Sequence, residues 1–213
     1  MSITTNRLLF TTSFFVMVMM LGCSTAENSE EISSRLLADR QAKEERFLDH
    51  ERSPLTQAQK EAFDGLEFYP VDLDYRIRTT IHEYPAKDTI EMAMSAQGTQ
   101  KYIRWGEFEF SVHDHTVNLR VYKPLQYSDE YHPYFFIPFR DQTNGAATFE
   151  GGRYLDIPIH ESNRYVIDFN RAYNPYCAYN PNGWTCPLPP DENTLDFPLR
   201  AGEKAFTLAE NAE

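Results

Sequence analysis

The sequence predicts a mainly β protein, α+β overall: an antiparallel sandwich or half-open barrel with helices at its N-terminal end. Two observations support this class. Up to Gly65 the apolar residues recur at helical spacing, whereas after it they alternate with polar residues, as in strands with one buried face. In addition, the stretches 107–122 and 152–170 each contain an alternating run, a polar turn and a second alternating run, which is typical of a hairpin.

The N-terminal residues are typical of an exported protein. Arg7 precedes an apolar run of fourteen residues, 8–21, which is too short to span a bilayer core comfortably and predicts a signal peptide. The following MLGCS resembles a bacterial lipobox, so Cys23 is expected to carry lipid, palmitate included, and to begin the mature chain. Ser24 after it predicts the outer membrane, facing the periplasm, if the cell is Gram-negative. The expected partner is therefore a lipid bilayer, reached through an N-terminal acyl anchor.

The net charge excludes one class of partner. The chain carries −12 at pH 7, and removal of the leader with its single Arg7 makes the mature protein −13. Phosphate backbones repel such a chain, so no nucleic-acid partner is expected. No glycine-rich phosphate loop occurs, and no cofactor is predicted. The predicted organisation is a signal peptide over 1–22, an acidic tether over 23–33, and one globular domain over 34–213, helical over 34–65 and β-rich over 66–213.

Two helices are expected before the strands. Residues 34–52 are rich in charged helix formers and have a thin apolar stripe, which indicates a helix lying on a domain rather than inside it. Thr56 and Gln59 fit a capping box that starts a second, short helix, and Gly65 fits its end. The alternating residues 75–81 then predict the first strand.

The first hairpin is predicted in the register 112–117, 110–119 and 108–121. Each apolar residue then faces an apolar partner, and Glu109 lies opposite Arg120 on the other face. The same register places His115 in the turn, where it need not converge with His113, so a zinc site is not predicted.

The second hairpin is predicted to turn at 161–163 and to set Asp156 directly opposite Asp168. Like charges in this position are destabilising unless something compensates them. Two close carboxylates could serve as general acid and base, and His160 on the same face is a third catalytic candidate. The alternative is an ordinary solvated face whose aspartates pair with nearby arginines.

The two cysteines that remain in the mature chain, Cys177 and Cys186, are nine residues apart around a Pro-Asn-Gly turn. In an exported protein this arrangement indicates a disulfide that clamps the loop. The closed loop would stabilise the fold by about 2–3 kcal/mol. The spacing is not that of a CxxC redox pair, and two cysteines are too few for a zinc site.

Four stretches resemble the bacterial and archaeal domain-of-unknown-function family 1684: SPLTQAQKEAFDGLEFYPVD, FIPFRDQTNG, DFNRAYNPYCAY and TCPLPPDENTLDFPLRAGEK. The resemblance covers about residues 46–206 and implies no reaction, because the family is biochemically uncharacterised. Its signature positions include Asp156, Asp168 and both loop cysteines. The remaining signature residues are the candidate ligand-binding residues Arg153, Tyr154, Asn170, Tyr173, Asn174 and Glu192.

Three functions remain open from the sequence. The first is an envelope protein that binds a small polar ligand, a glycan or another envelope protein, which the aromatic, Asn-rich loop and the absence of a nucleophile motif favour. The alternative is a hydrolase-type enzyme that uses Asp156 and Asp168. The third is a structural lipoprotein without a ligand. Convergence of the two carboxylates in a concave pocket would favour the enzyme, and pairing with arginines on a convex face would disfavour it.

Overall fold

The computed structural model describes residues 28–125 and 133–208. Within these residues the chain forms two α-helices and then seven β-strands. Their bounds are α1 Ser29–Asp49, α2 Gln57–Glu61, β1 Arg76–Glu83, β2 Thr89–Ala93, β3 Thr99–Val112, β4 His115–Pro124, β5 Tyr134–Phe139, β6 Arg153–Pro158 and β7 Arg164–Asp168.

The seven strands form one antiparallel sheet that curls into a nearly closed barrel, which confirms the predicted fold class. The strand order is β6-β5-β4-β3-β1-β7, and β2 pairs with one end of β3 beside this path. Alternate residues of the strands fill the interior with large side chains, among them Phe108, Leu119, Ile137 and Ile167, each of which is completely buried. The C-terminal segment adds Leu195, Phe197, Leu199 and Ala201 to this interior cluster, whereas Phe47 of α1 packs in a separate cluster with Leu55 and Tyr179.

Helix α1 begins at Ser29, where the Asn28 side chain accepts a hydrogen bond from the Glu30 backbone N–H. The last five residues of the predicted tether, 29–33, therefore belong to this helix, because the cap lies earlier than the first large apolar residues suggested. Helix α1 lies on the domain, as predicted. The short helix α2 has both hydrogen bonds of the predicted capping box.

Cys23 and the predicted signal peptide lie outside the described residues. None of the helices that the structure describes is long and apolar enough to cross a membrane.

The first hairpin, β3–β4, is present, but the predicted register is wrong by two residues. The turn contains only His113 and Asp114, and His113 has a φ of 49°. A two-residue hairpin loop needs such left-handed backbone, and the sequence gives no glycine to mark it. A shift of two residues keeps every side chain on its predicted face. It does change the cross-strand pairs, so that Glu107 rather than Glu109 lies opposite Arg120 and forms an ion pair with it.

The second predicted hairpin is wrong. Strand β6 pairs with β5 and strand β7 pairs with β1, so the two strands lie at opposite ends of the strand order. Both strands alternate as expected, but their partners come from elsewhere in the chain. Asp156 lies opposite Phe136, and Asp168 lies opposite Arg76.

Candidate functional site

The predicted pair of aspartates does not form. Asp156 and Asp168 lie on strands that do not neighbour each other, and each has its own environment. His160 is exposed and stacks on the Tyr165 ring, with 4.2 Å between ring centroids. None of the described hydrogen bonds or ion pairs joins His160 to either aspartate. The proposed acid, base and histidine therefore do not make one site.

Asp168 is a buried structural carboxylate. Its Oδ2 pairs with Nη1 of Arg76 at 3.0 Å. Its Oδ1 accepts hydrogen bonds from the backbone N–H and the side-chain amide of Asn170. Asn170 in turn bonds both the N–H and the C=O of Asp72. These bonds fix the chain between β7 and the N-terminal segment, which assigns both residues a role in folding.

Two more of the predicted ligand-binding residues, Arg153 and Asn174, are also fixed inside the fold. Arg153 is fully buried and pairs with Asp141 at 2.8 Å. The Asn174 backbone donates to the buried Glu203 carboxylate at 3.0 Å, and its side-chain amide donates to the Lys204 carbonyl at 2.7 Å. These residues pin the C-terminal segment onto the barrel.

Glu192 is held at the outer face of the sheet. Its carboxylate accepts the hydroxyl of Tyr122 at 2.7 Å and lies 3.5 Å from the Arg104 guanidinium. Burial, and then the bond and charge of Glu192, raise the pKa of Tyr122. This carboxylate therefore already has two partners.

The remaining candidates meet on the outside of the barrel. Tyr154 and Asp156 point outward from β6, because the residues that alternate with them fill the interior. The loop after β7 folds over this face. We call the resulting group the outer aromatic cluster: Tyr102, Tyr134, Phe136, Tyr154, Asp156, Tyr173, Cys177 and Cys186.

Asp156 is the one carboxylate of this cluster. Its Oδ2 accepts the hydroxyl of Tyr173 at 2.7 Å. The residue is exposed, yet the protein around it is dense, and the resulting desolvation raises the pKa of Asp156 to about 6, against the opposing effect of the Tyr173 hydrogen bond.

Cys177 and Cys186 are both buried and carry free thiols in the structure. The backbone N–H of Cys177 donates to Sγ of Cys186 at 3.1 Å, and Ser95 bonds the backbone of Cys186 in both directions. A hydrogen bond from Cys186 lowers the pKa of the Cys177 thiol to about 7, and the same bond raises the pKa of Cys186. The two thiols are neighbours, as the spacing predicted, and the disulfide itself stays a prediction.

A concave feature lies between α1 and the segment 170–176. We call it the α1 groove. It has a volume of about 330 Å³, at the lower end of the range for small-molecule sites. Its apolar surface comes from Leu36, Phe47, Phe68 and Tyr176. Its charged lining consists of Arg40, Lys43, Arg46, Arg52 and Arg171, with Asp39 as the one acidic residue among them.

The cations of the α1 groove differ in how far they are neutralised. Arg171 pairs with Asp39 at 2.7 Å, and Lys43 pairs with buried Glu203. Arg40 makes no ion pair with a described carboxylate. Its guanidinium lies 4.5 Å from the Phe68 ring and donates to a backbone carbonyl. Burial lowers the pKa of Arg40, only partly offset by the charges of more distant carboxylates.

Arg46 is an exposed cation of the groove. It lies on the last turn of α1, its side chain is exposed, and no described carboxylate pairs with it. Together with Arg40 it gives the groove positive charge that the protein itself does not cancel. Positive charge without a paired carboxylate is unexpected in a chain whose net charge is −12.

The sequence alone indicates part of the α1 groove. Leu36, Arg40, Lys43 and Phe47 follow each other at intervals of four, three and four residues, so they share one face of α1. Two cations within an otherwise apolar helix face indicate that this face is not packed entirely against the hydrophobic core. The rest of the groove comes from Phe68 and the segment 170–176, which no local pattern connects to the helix.

No group of three or more His, Cys, Asp or Glu side chains that could hold a metal ion occurs within 28–125 and 133–208. The two histidines at the β3–β4 turn have separate partners: His113 in the turn contacts Tyr75, and His115, the first residue of β4, stacks on Phe197.

Comparison with known proteins shows a solved structure of the same fold and the family to which the chain belongs. The fold is a β barrel that is also seen in the solution NMR structure of an uncharacterised protein from Haloarcula marismortui, with a TM-score of 0.62 and 31% sequence identity over 82% of this chain and 95% of that one. The model of the family described as protein of unknown function (DUF1684) matches residues 61–204, and the chain belongs to this family. No curated protein matches the chain.

Proposed function

We propose that the protein is a lipid-anchored binding protein of the cell envelope, whose α1 groove takes a small organic anion with an apolar body. One observation carries the proposal: a groove of about 330 Å³ combines an apolar surface with cations that the protein leaves uncompensated. Apolar walls with a few convergent polar groups are typical of small-molecule sites. A bound carboxylate would pair with Arg46 and relieve the desolvation of Arg40.

The hydrolase alternative depended on the two aspartates lying side by side. Their separation removes its geometric basis, and Asp168 is already paired with Arg76. A binding function needs no nucleophile, and the one serine that lines the α1 groove, Ser53, already donates its hydroxyl to the Phe47 carbonyl.

The groove proposal is tested with phenylacetate and its neutral isostere phenylacetamide, measured by titration calorimetry. We expect phenylacetate to bind more tightly, because only the carboxylate pairs with the cations. Arg46→Ala should weaken phenylacetate binding about fivefold, equivalent to about 1 kcal/mol for an exposed charge pair. Arg164→Ala is the matched control, since Arg164 is an exposed arginine outside the groove. Equal binding of acid and amide, or an unchanged affinity in Arg46→Ala, would reject the proposal.

The lipid anchor would place the start of α1, the helix that lines the groove, close to the bilayer. Asn28, the N-cap of α1, is five residues after Cys23 in the sequence, and an extended chain of that length spans at most about 18 Å. The expected result is that radiolabelled palmitate is incorporated into the wild-type protein but not into Cys23→Ala. Equal labelling of both proteins would remove the anchor from the proposal.

In an oxidising envelope we further propose that Cys177 and Cys186 form the predicted disulfide. The two thiols are buried neighbours, so oxidation requires little rearrangement of the loop. Titration of free thiols in the unfolded but unreduced protein should then find neither cysteine reactive. Two reactive thiols in protein isolated from the envelope would contradict the disulfide.

A further inference from the structure

Asp156 is a carboxylate that the protein surrounds with aromatic rings and does not neutralise. Its one described hydrogen bond is the 2.7 Å bond to Oδ2 from the Tyr173 hydroxyl, and its Oδ1 has no described partner. No lysine, arginine or histidine of the described residues forms an ion pair with it. An exposed carboxylate with one side open and no cation can accept a positively charged group.

The neighbouring side chains follow from the sheet. Phe136 on β5 lies directly opposite Asp156, and Tyr102 stacks on Phe136 with 5.3 Å between ring centroids. Tyr102 is 95% buried, since only 5% of its surface is exposed, and its hydroxyl makes no hydrogen bond within the described residues. Burial and the charges of neighbouring groups, Asp156 among them, raise the pKa of Tyr102. A tyrosine hydroxyl for which no hydrogen bond is described therefore lies within electrostatic reach of an open carboxylate.

We propose that Asp156, Tyr102 and Tyr173 form a binding site for a primary ammonium group. An ammonium ion is compact and has three N–H donors. The free Oδ1 of Asp156 and the phenol oxygens of the two tyrosines supply three acceptors for them. The aromatic rings around the site add cation–π attraction.

The composition of the site favours an organic cation over a metal ion. Calcium takes six to eight oxygen ligands, several of them carboxylates, whereas this site offers one carboxylate and phenols. The site is also separate from the α1 groove and opposite to it in charge. Tyr173 lies between them: its ring lines the groove, and its hydroxyl binds Asp156.

The ionisation of Asp156 gives the site a pH dependence. With a pKa of about 6, the carboxylate is about 97% ionised at pH 7.5 and about 9% ionised at pH 5. Alkylammonium ions keep their charge at both values. The other ionisable groups that face Asp156 are the phenols of Tyr102, Tyr134, Tyr154 and Tyr173, which are neutral in this range. Of the two thiols in the outer aromatic cluster, Cys177 has a pKa inside this range, at about 7.

The experiment is a titration of the full chain, in detergent micelles, with butylammonium chloride, followed by calorimetry. We expect binding at pH 7.5, about tenfold weaker binding at pH 5, and no binding of the neutral butan-1-ol. Asp156→Asn should reduce the affinity at pH 7.5 at least tenfold and remove the pH dependence, which separates Asp156 from Cys177. Tyr102→Phe should reduce the affinity severalfold.

The control variant is Asp196→Asn, because Asp196 is an aspartate with a 93% exposed side chain outside the cluster. It should bind butylammonium like the wild type. Equal affinity in wild type and Asp156→Asn would overturn the proposal, and so would equal affinity of the wild type at pH 5 and pH 7.5. The pH test needs no variant, so it remains decisive if a substitution impairs folding.

Discussion

Arg153 gives the sharpest test of the structure. It is fully buried, and its guanidinium donates to the Asp141 carboxylate at 2.8 Å and to the backbone carbonyls of Leu199 at 2.9 Å, Glu203 at 3.2 Å, and Ala201. One side chain thus joins β6 to the loop after β5 and to the C-terminal segment. Arg153→Met keeps most of the side-chain volume and removes every donor.

The expected cost of Arg153→Met follows from these contacts. Removing one partner of a buried ion pair costs about 3–5 kcal/mol, because the other charge stays buried without compensation. The three carbonyls lose a donor as well, and each unsatisfied buried group costs about 1–3 kcal/mol unless water reaches it. A loss of at least about 4 kcal/mol is therefore expected, a large part of the total stability of a domain, which is about 5–15 kcal/mol.

The assay is urea unfolding followed by near-UV circular dichroism. Arg164→Met is the control, since an exposed arginine should change stability by no more than about 0.5 kcal/mol. The double variant Arg153→Met/Asp141→Leu should recover part of the loss, because it removes the stranded carboxylate. A loss below about 1 kcal/mol in Arg153→Met would refute the reasoning.

Three further predictions concern single positions. NMR titration should find the pKa of Asp156 near 6, and a measured pKa near 4 would contradict the dense surroundings. Because the folded-state pKa is raised above 3.8, ionisation of Asp156 opposes folding above pH 6. The stability advantage of Asp156→Asn should therefore shrink as the pH falls from 6 towards 4. Glu203→Gln should cost about 3 kcal/mol in urea unfolding, because it leaves Lys43 without its partner; an unchanged midpoint would mean that the pair is not formed. Gly106→Ala should destabilise by about 1–3 kcal/mol, since its Cβ would lie 2.5 Å from the His82 carbonyl oxygen, and an equally stable variant would show that the bulge in β3 is loose.

The sequence predicted which face of a strand each side chain occupies better than it predicted which strands pair with each other. In the β3–β4 hairpin every residue lies on its predicted face although the register was wrong by two, because a two-residue shift conserves the alternation. The missing information was the turn: a left-handed His113 closes a tighter loop than a sequence without glycine indicates.

The second hairpin failed for a different reason. Alternating residues on both sides of 161–163 are equally compatible with a local hairpin and with two strands that pair elsewhere. Strand β6 pairs with the preceding β5, and β7 pairs with β1 from far earlier in the chain. Partners separated by more than eighty residues, such as Arg76 and Asp168, leave no trace in a local pattern.

The same limit explains which site residues could be found. Asp156, Tyr154 and Tyr173 were candidates from the sequence, and the structure does bring them together on one face. Tyr102 completes that face from β3, more than fifty residues earlier, and nothing in its surroundings distinguishes it from a core tyrosine. Side chains that assemble from distant segments are identified only when the fold is known.

The distribution of charges within the fold separates structural residues from candidate binding residues. Among the described residues, every charged side chain that is buried has an opposite charge beside it: Arg153 with its carboxylate, Asp168 with Arg76, and the Lys43 partner Glu203. Arg40 and Asp156 lack such a partner, although burial or dense surroundings disfavour their charged forms. A ligand of opposite charge gains the most binding free energy at a charged side chain that the fold has already desolvated but has not paired with an opposite charge. Tyr173 connects these two groups, because it lines the groove together with Arg40 and its hydroxyl binds Asp156, and this is where binding is best sought.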